Sequence, residues 1–352
     1  MTIDSEQTIK VNSPGDLISV VPYLLGFHPS LSLVVTIIDA EKATVGGVLR
    51  FDLPQDSADA PELADHLTSV LVRNKVNWVV LVGYGPGDRV SPVVDAATEA
   101  LNRAGIRIKD ALRSDQGRYW SYTCTDTECC PPEGVSLDVS SGVPAATAVL
   151  AGFVALPDRE TLVATLEPVD GLDRERVEAA TRAACERTRV LVETEHDWYR
   201  EGIDQISAAL DRVQAGGNLD ADEVATLGVG LTAILVRDAA MTFLGDHDDE
   251  THLRLWTDVA RRVPPEFAAA PAALLGFVAL RTGDGALARI AAERALSVDP
   301  DYRLASLICA ALQHGLPPEA IAGMNSMEMK EAIDASAERC PEGTRPILPE
   351  GW

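Results

Sequence analysis

Three cysteines in one short stretch are the residues of this chain best suited to chemistry. Residues 117–134 contain Cys124, Cys129 and Cys130, three of the six cysteines, together with three aromatic residues in a chain that is 5% aromatic. Sulfurs this close in sequence can share one metal ion, but a structural zinc site needs four ligands, usually in two spaced pairs. Because the second pair is missing, we predict no bound metal and keep the three cysteines only as candidate ligands.

Three interpretations of these cysteines remain open. If a metal binds, His28 or Asp126 would supply the fourth ligand. A nucleophilic cysteine would need a base or a lowered pKa, for which the loop around His28 and Arg118 offer the only nearby residue types. Reduced cysteine also packs as a compact hydrophobic residue, so the thiols and their flanking prolines can fill a rigid turn beneath Trp120 and Tyr122. We prefer this packing interpretation.

Two glycine-containing loops form a second candidate. Residues 26–29 lead into an apolar run, and residues 83–87 follow one. Ligands tend to bind at the carboxyl ends of central strands, where a glycine-rich loop lets backbone amides face an anion. The spacing matches neither the dinucleotide fingerprint nor the phosphate loop. Arg50 and Asp52 share one face of a predicted strand and either line such a pocket or pair with each other. The candidate pocket therefore consists of His28, Arg50, Asp52, Tyr84, Arg118, Trp120, Cys124, Cys129 and Cys130.

Two histidines lie among four acidic residues in the segment 246–252. His247 and His252 are five residues apart, whereas a helical metal pair needs a spacing of four. We therefore predict a solvated loop whose acidic residues precede and stabilise the next helix.

Composition limits the classes of partner. The chain has 352 residues, 46% of them hydrophobic, and a formal net charge of −24. A negative field of this size repels nucleic acid and anionic membrane surfaces, which leaves a small molecule or a protein as the expected partner. Acidic residues replace the basic start of a secretory signal, and the longest apolar segment, 143–156, is shorter than the roughly 20 residues of a membrane helix. We expect a cytoplasmic protein with reduced thiols.

The first part of the chain alternates strand and helix patterns. A β-branched hairpin is followed by two helix–strand units and a second hairpin, which predicts an α/β domain over residues 1–140 with a mixed sheet of about five strands. The predicted strands are 32–38, 43–53, 76–82, 106–113 and 118–124. The predicted helices are 60–73 and 92–104.

Helical periodicity replaces the strand patterns beyond this point. It predicts an all-helical domain over residues 141–335, followed by a Pro/Gly-rich tail over 336–352. One hairpin is tetratricopeptide-like, because small residues and a closing proline stand at that repeat's spacing in residues 275–300. Alanines occupy the positions of the large aromatic residues, and no second copy follows. We therefore favour a single hairpin packed into a core over a peptide-binding repeat array.

Several motifs occur together in a specific order. They are SPGDL at 13–17, VPYLLGFHP at 21–29, SLV at 32–34, GYGP at 83–86, RYWSYTC at 118–124, CCPPEG at 129–134 and LPP at 316–318. In these motifs the chain resembles the actinobacterial domain-of-unknown-function family 4192 over nearly its full length. The resemblance implies a cytoplasmic actinobacterial protein, in agreement with a composition rich in alanine and arginine and poor in lysine. It implies no activity, cofactor or catalytic residue.

Two classes of function follow from these observations. The class we prefer is a ligand- or partner-binding module without catalysis, in which the helical domain provides an interaction surface. The alternative is a hydrolase or transferase whose site lies between the Tyr84 loop, Trp120 and the turn of Cys129 and Cys130, with Cys129 or His28 as the reactive group. No motif specifies a cofactor, and the residues do not decide whether the protein is an enzyme.

Overall fold

The computed structural model describes residues 11–39, 44–137, 143–191, 197–322 and 326–352. The chain forms two compact units. The α/β unit comprises Ile3–Leu162 with Gln313–Leu316, and the helical unit comprises Val163–Leu312 with Pro317–Trp352. Residues 143–162, which the sequence pattern placed in the helical domain, belong to the α/β unit.

The α/β unit is built on one mixed sheet of six strands in the order β2-β1-β3-β4-β5-β6. Only the pair β3 and β4 is parallel, and every other neighbouring pair is antiparallel. The strands are β1 Ser32–Asp39, β2 Thr44–Asp52, β3 Trp78–Tyr84, β4 Arg107–Asp115, β5 Arg118–Ser121 and β6 Val135–Ser136. The helices are α1 Pro14–Leu25, α2 Ala60–Arg73, α3 Gly87–Arg103 and α4 Val143–Leu150, and α5 Arg159–Ala164 crosses the boundary between the units.

One face of this sheet packs on α2 and α3. Leu33 and Leu81 of the central strands are fully buried there, together with Leu67 of α2 and Val94 of α3. Apolar residues at helical spacing on both helices and β-branched runs in the strands meet in a single core. The predicted mixed sheet with packed helices is confirmed, with one more strand than expected.

Helix α1 crosses the opposite face. Its first turn is capped by Ser13, whose Oγ accepts a hydrogen bond from the backbone N–H of Asp16 at 3.1 Å, and Gly26 ends it in the left-handed conformation at φ +79°. Gly15 lies beside the ring of Tyr119 in β5, whereas Phe27, just past the helix, lies beneath Arg50 of β2. The helix therefore runs across this face between the two sides of the sheet.

The helical unit contains ten further helices within the described residues. They are α6 Leu172–Leu191, α7 Trp198–Gln214, α8 Ala221–Gly230, α9 Ile234–Ala240, α10 Asp249–Arg262, α11 Ala269–Thr282, α12 Gly285–Val298, α13 Arg303–Gln313, α14 Pro318–Ala322 and α15 Ser326–Arg339. The predicted helical region is confirmed. Helices α11 and α12 form a hairpin closed by Gly283 at φ +83° and by Asp284, whose Oδ1 accepts from the N–H of Leu287. Its relation to tetratricopeptide repeats stays a prediction.

The predicted tail is partly helical. Its first residues complete α15, and a 3₁₀ turn, Pro341–Thr344, follows. Beyond it, the N–H of Ile347 donates to Oγ1 of Thr232 at 3.0 Å, and the Trp352 ring meets the edge of Phe267 at 5.2 Å. Among the described residues no helix taken alone has the length and apolarity to cross a membrane. The pair Ala221–Gly230 and Ile234–Phe243 meets that test together, with a bend of 114°.

Candidate functional site

Cys124, Cys129 and Cys130 lie on a loop at one end of the sheet, residues 123–134, which we call the thiol loop. It leaves β5 and returns to β6, the last strand of the sheet. Arg118 and Trp120 are two residues apart in β5, so their side chains share one face of the sheet. Arg118 donates to the carbonyls of Glu133 and Gly134 at 2.7 and 2.9 Å, and the indole N–H of Trp120 donates to the carbonyl of Pro132 at 3.0 Å. Three consecutive loop carbonyls are thus fixed to one strand.

Two groups lie close to the Trp120 ring. The Arg113 guanidinium carbon lies 3.7 Å from the ring centroid. Gly134, at φ +81°, lies so close that a Cβ atom there would approach Cε2 of the indole to 2.5 Å. With the hydrogen bond to Pro132, these contacts make Trp120 a residue that positions the loop.

Asp110 and Ser121 fix the other half of the thiol loop. Oδ1 of Asp110 accepts from the hydroxyls of Ser121 at 2.9 Å and Thr123 at 2.5 Å. Oγ of Ser121 in turn accepts from the backbone N–H of Cys124 at 3.1 Å. The position of Cys124 is therefore tied to β4 through a chain of hydrogen bonds.

An internal turn brings the remaining cysteines back toward Cys124. The N–H of Cys130 donates to the carbonyl of Asp126 at 2.7 Å, and the N–H of Glu128 donates to its Oδ1 at 2.9 Å. The sulfurs of Cys124, Cys129 and Cys130, which we call the thiol triad, all lie within 4.8 Å of one another. Cys129 is exposed, the other two are half-buried, and all three are free thiols.

The neighbouring groups determine the charge of the triad. Hydrogen bonding to Cys124, together with some burial and the nearness of Cys129, raises the pKa of Cys130 to about 12. Burial first, and then the nearness of Cys130 and Cys129, raises the pKa of the Tyr119 phenol. Without a cation, Cys130 is therefore protonated near neutral pH and is a poor nucleophile. Among the described histidines none forms a hydrogen bond with a triad thiol, so no base is in place.

His28, Arg50 and Asp52 lie elsewhere. Arg50 donates to Oδ1 of Asp52 at 2.6 Å and stacks over the Phe27 ring, so the two charged residues pair with each other. The N–H of His28 donates to the carbonyl of Leu156 at 2.9 Å. These residues belong to the β2 side of the sheet, and three strands separate β2 from β5. At the usual strand spacing this distance is about 19 Å, so the structure does not bring them to the thiol loop.

Tyr84 is also separated from Trp120. Across the sheet, Tyr84 lies opposite Ser114, which lies opposite Tyr119. Trp120 lies opposite Arg113, which lies opposite Gly83, the residue before Tyr84. Side chains of successive residues point to opposite faces, so Tyr84 and Trp120 lie on opposite faces of the sheet. Tyr84 is 7% exposed, its hydroxyl has no hydrogen-bond partner among the described residues, and burial raises its pKa. The structure therefore unites only Arg118, Trp120 and the three cysteines.

Sequence reasoning missed three contributors to this site, Asp110, Arg113 and Tyr119. Asp110 and Arg113 lie within a strand that was predicted correctly, and Tyr119 lies between two residues that were singled out. No clear signal marked Asp110 or Arg113, because this strand contains five charged residues among its nine. Their roles depend on the register of β4 with β5, which cannot be predicted from the sequence alone.

The histidine segment also differs from its prediction. The acidic residues do cap the next helix, since Oδ1 of Asp248 accepts from the N–H of Thr251 at 2.7 Å. The imidazoles are nevertheless buried: His252 is 0% exposed and donates toward the carbonyl of Phe243, and His247 pairs with Asp211 at 3.0 Å. The prediction of a solvated loop was wrong for the two rings, because they pack edge to face against each other.

These features define a two-unit protein, with a mixed α/β sheet that carries a thiol loop at its edge and a separate helical unit. The family described as Domain of unknown function (DUF4192) matches residues 14–319, and the chain belongs to this family. The match includes the thiol loop and most of the helical unit. No curated protein and no solved structure gives a significant match. The family description assigns no activity.

Proposed function

We propose that the chain is a binding module whose α/β unit holds one thiophilic metal ion at the thiol triad. The observation that supports this most directly is the convergence of three sulfurs within 4.8 Å. Zinc–sulfur bonds of about 2.3 Å place two sulfurs of a tetrahedral site about 3.8 Å apart. Cys129 and Cys130 are already at 3.9 Å, so only small movements of the third sulfur would close the site.

The loop is suited to this role because hydrogen bonds fix both of its ends. Arg118 and Trp120 hold three carbonyls at one end, and Asp110 holds the Cys124 end through Ser121. A loop fixed in this way loses less conformational entropy when it binds than a flexible loop would.

The chemistry of the donors selects the metal. Thiolates favour soft or borderline ions such as Zn²⁺ and Cu⁺, whereas Mg²⁺ and Ca²⁺ require oxygen ligands. Thiolate ligands must stay reduced, which fits a protein of the cytoplasm. The proposal therefore includes a cytoplasmic location, and an actinobacterial origin as the resemblance implies. The net charge of −24 favours a small molecule or a protein over nucleic acid or membrane as any further partner. The helical unit would then offer the interaction surface.

The alternative of a hydrolase or transferase has less support. An exposed Cys129 is accessible to a substrate, but the neighbouring Cys130 is protonated and no imidazole is hydrogen-bonded to the triad within the described residues. Tyr84 and His28, which the enzyme hypothesis places in the same site, lie on another face and on another side of the sheet.

Zinc competition tests the proposal. Reduced, metal-free full-length protein is titrated with Zn²⁺ against a chromophoric chelator, and one equivalent per chain is expected to bind. Cys124→Ser, Cys129→Ser and Cys130→Ser should each weaken binding on the order of tenfold or more. The matched control is Cys309→Ser, because Cys309 lies in the helical unit outside the triad. Wild-type protein that binds no more zinc than the triple serine variant would refute the proposal.

A further inference from the structure

Within the described part of the chain, the thiol triad supplies three ligands and no fourth. Among the described His, Cys, Asp and Glu side chains, only Cys124, Cys129 and Cys130 place a donor atom in this cluster. Structural zinc sites have four protein ligands, whereas sites with three protein ligands keep one position for water or an exogenous ligand. The donor count therefore indicates an open site.

The two residues named as a possible fourth ligand place no side-chain donor atom in the triad among the described residues. Oδ1 of Asp126 accepts from the N–H of Glu128, and the carbonyl of Asp126 accepts from Cys130 within the turn that positions the thiols. His28 belongs to the segment that pairs with Leu156 on the β2 side of the sheet. Neither side chain contributes a donor atom to the triad.

The thiol triad lies at an exposed part of the loop. Cys129 is exposed, and residues 125–129 of the loop are exposed throughout. Arg118 and Trp120 bind carbonyls of residues 132–134, at the other end of the loop. A ligand can therefore reach Cys129 from the solvent without moving the sheet.

The local charge selects the kind of ligand. Three thiolates and one divalent ion carry a net charge of −1, and the exposed loop adds the carboxylates of Asp126, Glu128 and Glu133. The guanidinium of Arg118 is turned toward the loop carbonyls. A further anion would be repelled in this field, whereas a neutral donor would not.

From these steps, and resting on the proposed metal site, we infer that the metal keeps an exchangeable fourth position, which holds water and accepts a neutral imidazole-type nitrogen donor. Such a donor is either a free small molecule or a histidine side chain of another protein. Both present the same ring nitrogen to the metal.

Cobalt substitution tests this inference. Full-length protein is loaded with Co²⁺, whose sulfur-to-cobalt charge-transfer absorption reports the thiolates and whose d–d bands report the coordination number. We expect imidazole to shift the d–d bands saturably while the charge-transfer absorption persists. Chloride at matched ionic strength should cause no shift. A histidine-containing peptide that shifts the bands at lower concentration than imidazole would identify a protein as the source of the donor, and the reverse order a small molecule.

Two variants separate the outcomes. His28→Gln removes the imidazole named as a possible fourth ligand, and Cys309→Ser removes a thiol of the helical unit, so both should leave the spectra and the imidazole response unchanged. Bands that ignore imidazole, or that change in either variant, would show a fourth protein ligand and overturn the inference while leaving the metal site intact. Absence of the charge-transfer absorption would instead overturn the proposed function, and the inference with it.

Discussion

At the scale of single residues, Gly134 determines how closely the thiol loop approaches Trp120. We predict that Gly134→Ala destabilises the α/β unit by about 2 kcal/mol or more, because the left-handed backbone alone costs an alanine about 1–2 kcal/mol. The new Cβ would also displace the indole ring, which it would meet at 2.5 Å. Chemical denaturation followed by tryptophan fluorescence measures the loss.

Gly152→Ala is the matched control for this change. Gly152 has a similar φ of +86°, but a Cβ atom there meets nothing within 4 Å. It should lose only the backbone part, about 1–2 kcal/mol. Equal losses in the two variants would show that contact with Trp120 does not matter.

His252 should make stability depend on pH. Burial lowers its pKa from an ordinary value of 6.5 to about 4, so the unfolded chain binds more protons than the folded chain between these values. The stabilising contribution is therefore complete above about pH 6.5 and is lost as the pH falls toward 4. It amounts to at most about 3 kcal/mol.

The test compares thermal midpoints at pH 7.5 and pH 5. In His252→Gln the drop in the midpoint on acidification should be smaller than in wild-type protein, whatever the absolute stability of the variant. His66→Gln serves as the control, because His66 is exposed and belongs to the other unit. If His252→Gln retains the full pH dependence, the buried ring does not account for it.

Proximity along the chain decides which site residues could be predicted. The triad thiols lie within seven consecutive residues, and Arg50 and Asp52 lie two apart. The clustering of the sulfurs and the Arg50–Asp52 ion pair therefore follow from local geometry. Tyr84 and Trp120 belong to strands separated by β4. Their faces depend on which residues of β4 pair with each of them, and a slip of one residue would exchange the faces.

At the scale of elements, close packing of α11 on α12 depends on Gly276. A Cβ at this position would lie 3.2 Å from the carbonyl oxygen of Ala288 and 3.3 Å from Cδ1 of Ile308. We predict that Gly276→Leu destabilises the helical unit by about 1–3 kcal/mol through overpacking. Circular dichroism during urea unfolding measures the effect.

Ser297→Leu provides the comparison, because Ser297 is an exposed position of α12. The same side chain there should change the free energy of unfolding by less than about 0.5 kcal/mol. A similar loss at both positions would mean that the helix crossing does not require a small residue.

Most elements could be predicted because their signals are local. Apolar and β-branched runs mark β1, β2 and β3, and glycine or proline marks most helix ends. Helices α8 and α9 are separate because the chain turns after Gly230. Helix α1 was not predicted, because a proline such as Pro22 usually ends a helix, whereas here the helix continues past it. Helix α3 likewise continues past Pro92. A strand of two residues, β6, has no sequence signature at all.

At the scale of the whole molecule, each unit has its own set of buried residues, so we predict two unfolding transitions by calorimetry. Gly134→Ala should lower the midpoint of one transition, and Gly276→Leu that of the other. A single transition that both variants shift together would show that the two units unfold as one.

The shortness of β6 has a consequence for colloidal behaviour. A strand of two residues exposes too little backbone for another polypeptide to extend the sheet there, whereas β2, at the far margin, has nine residues and no described neighbour on its outer side. Any fibrillar or amorphous deposit seeded by this sheet should therefore begin at β2. A lysine introduced at Gly47, in the middle of that strand, would be the first substitution to try against such precipitation.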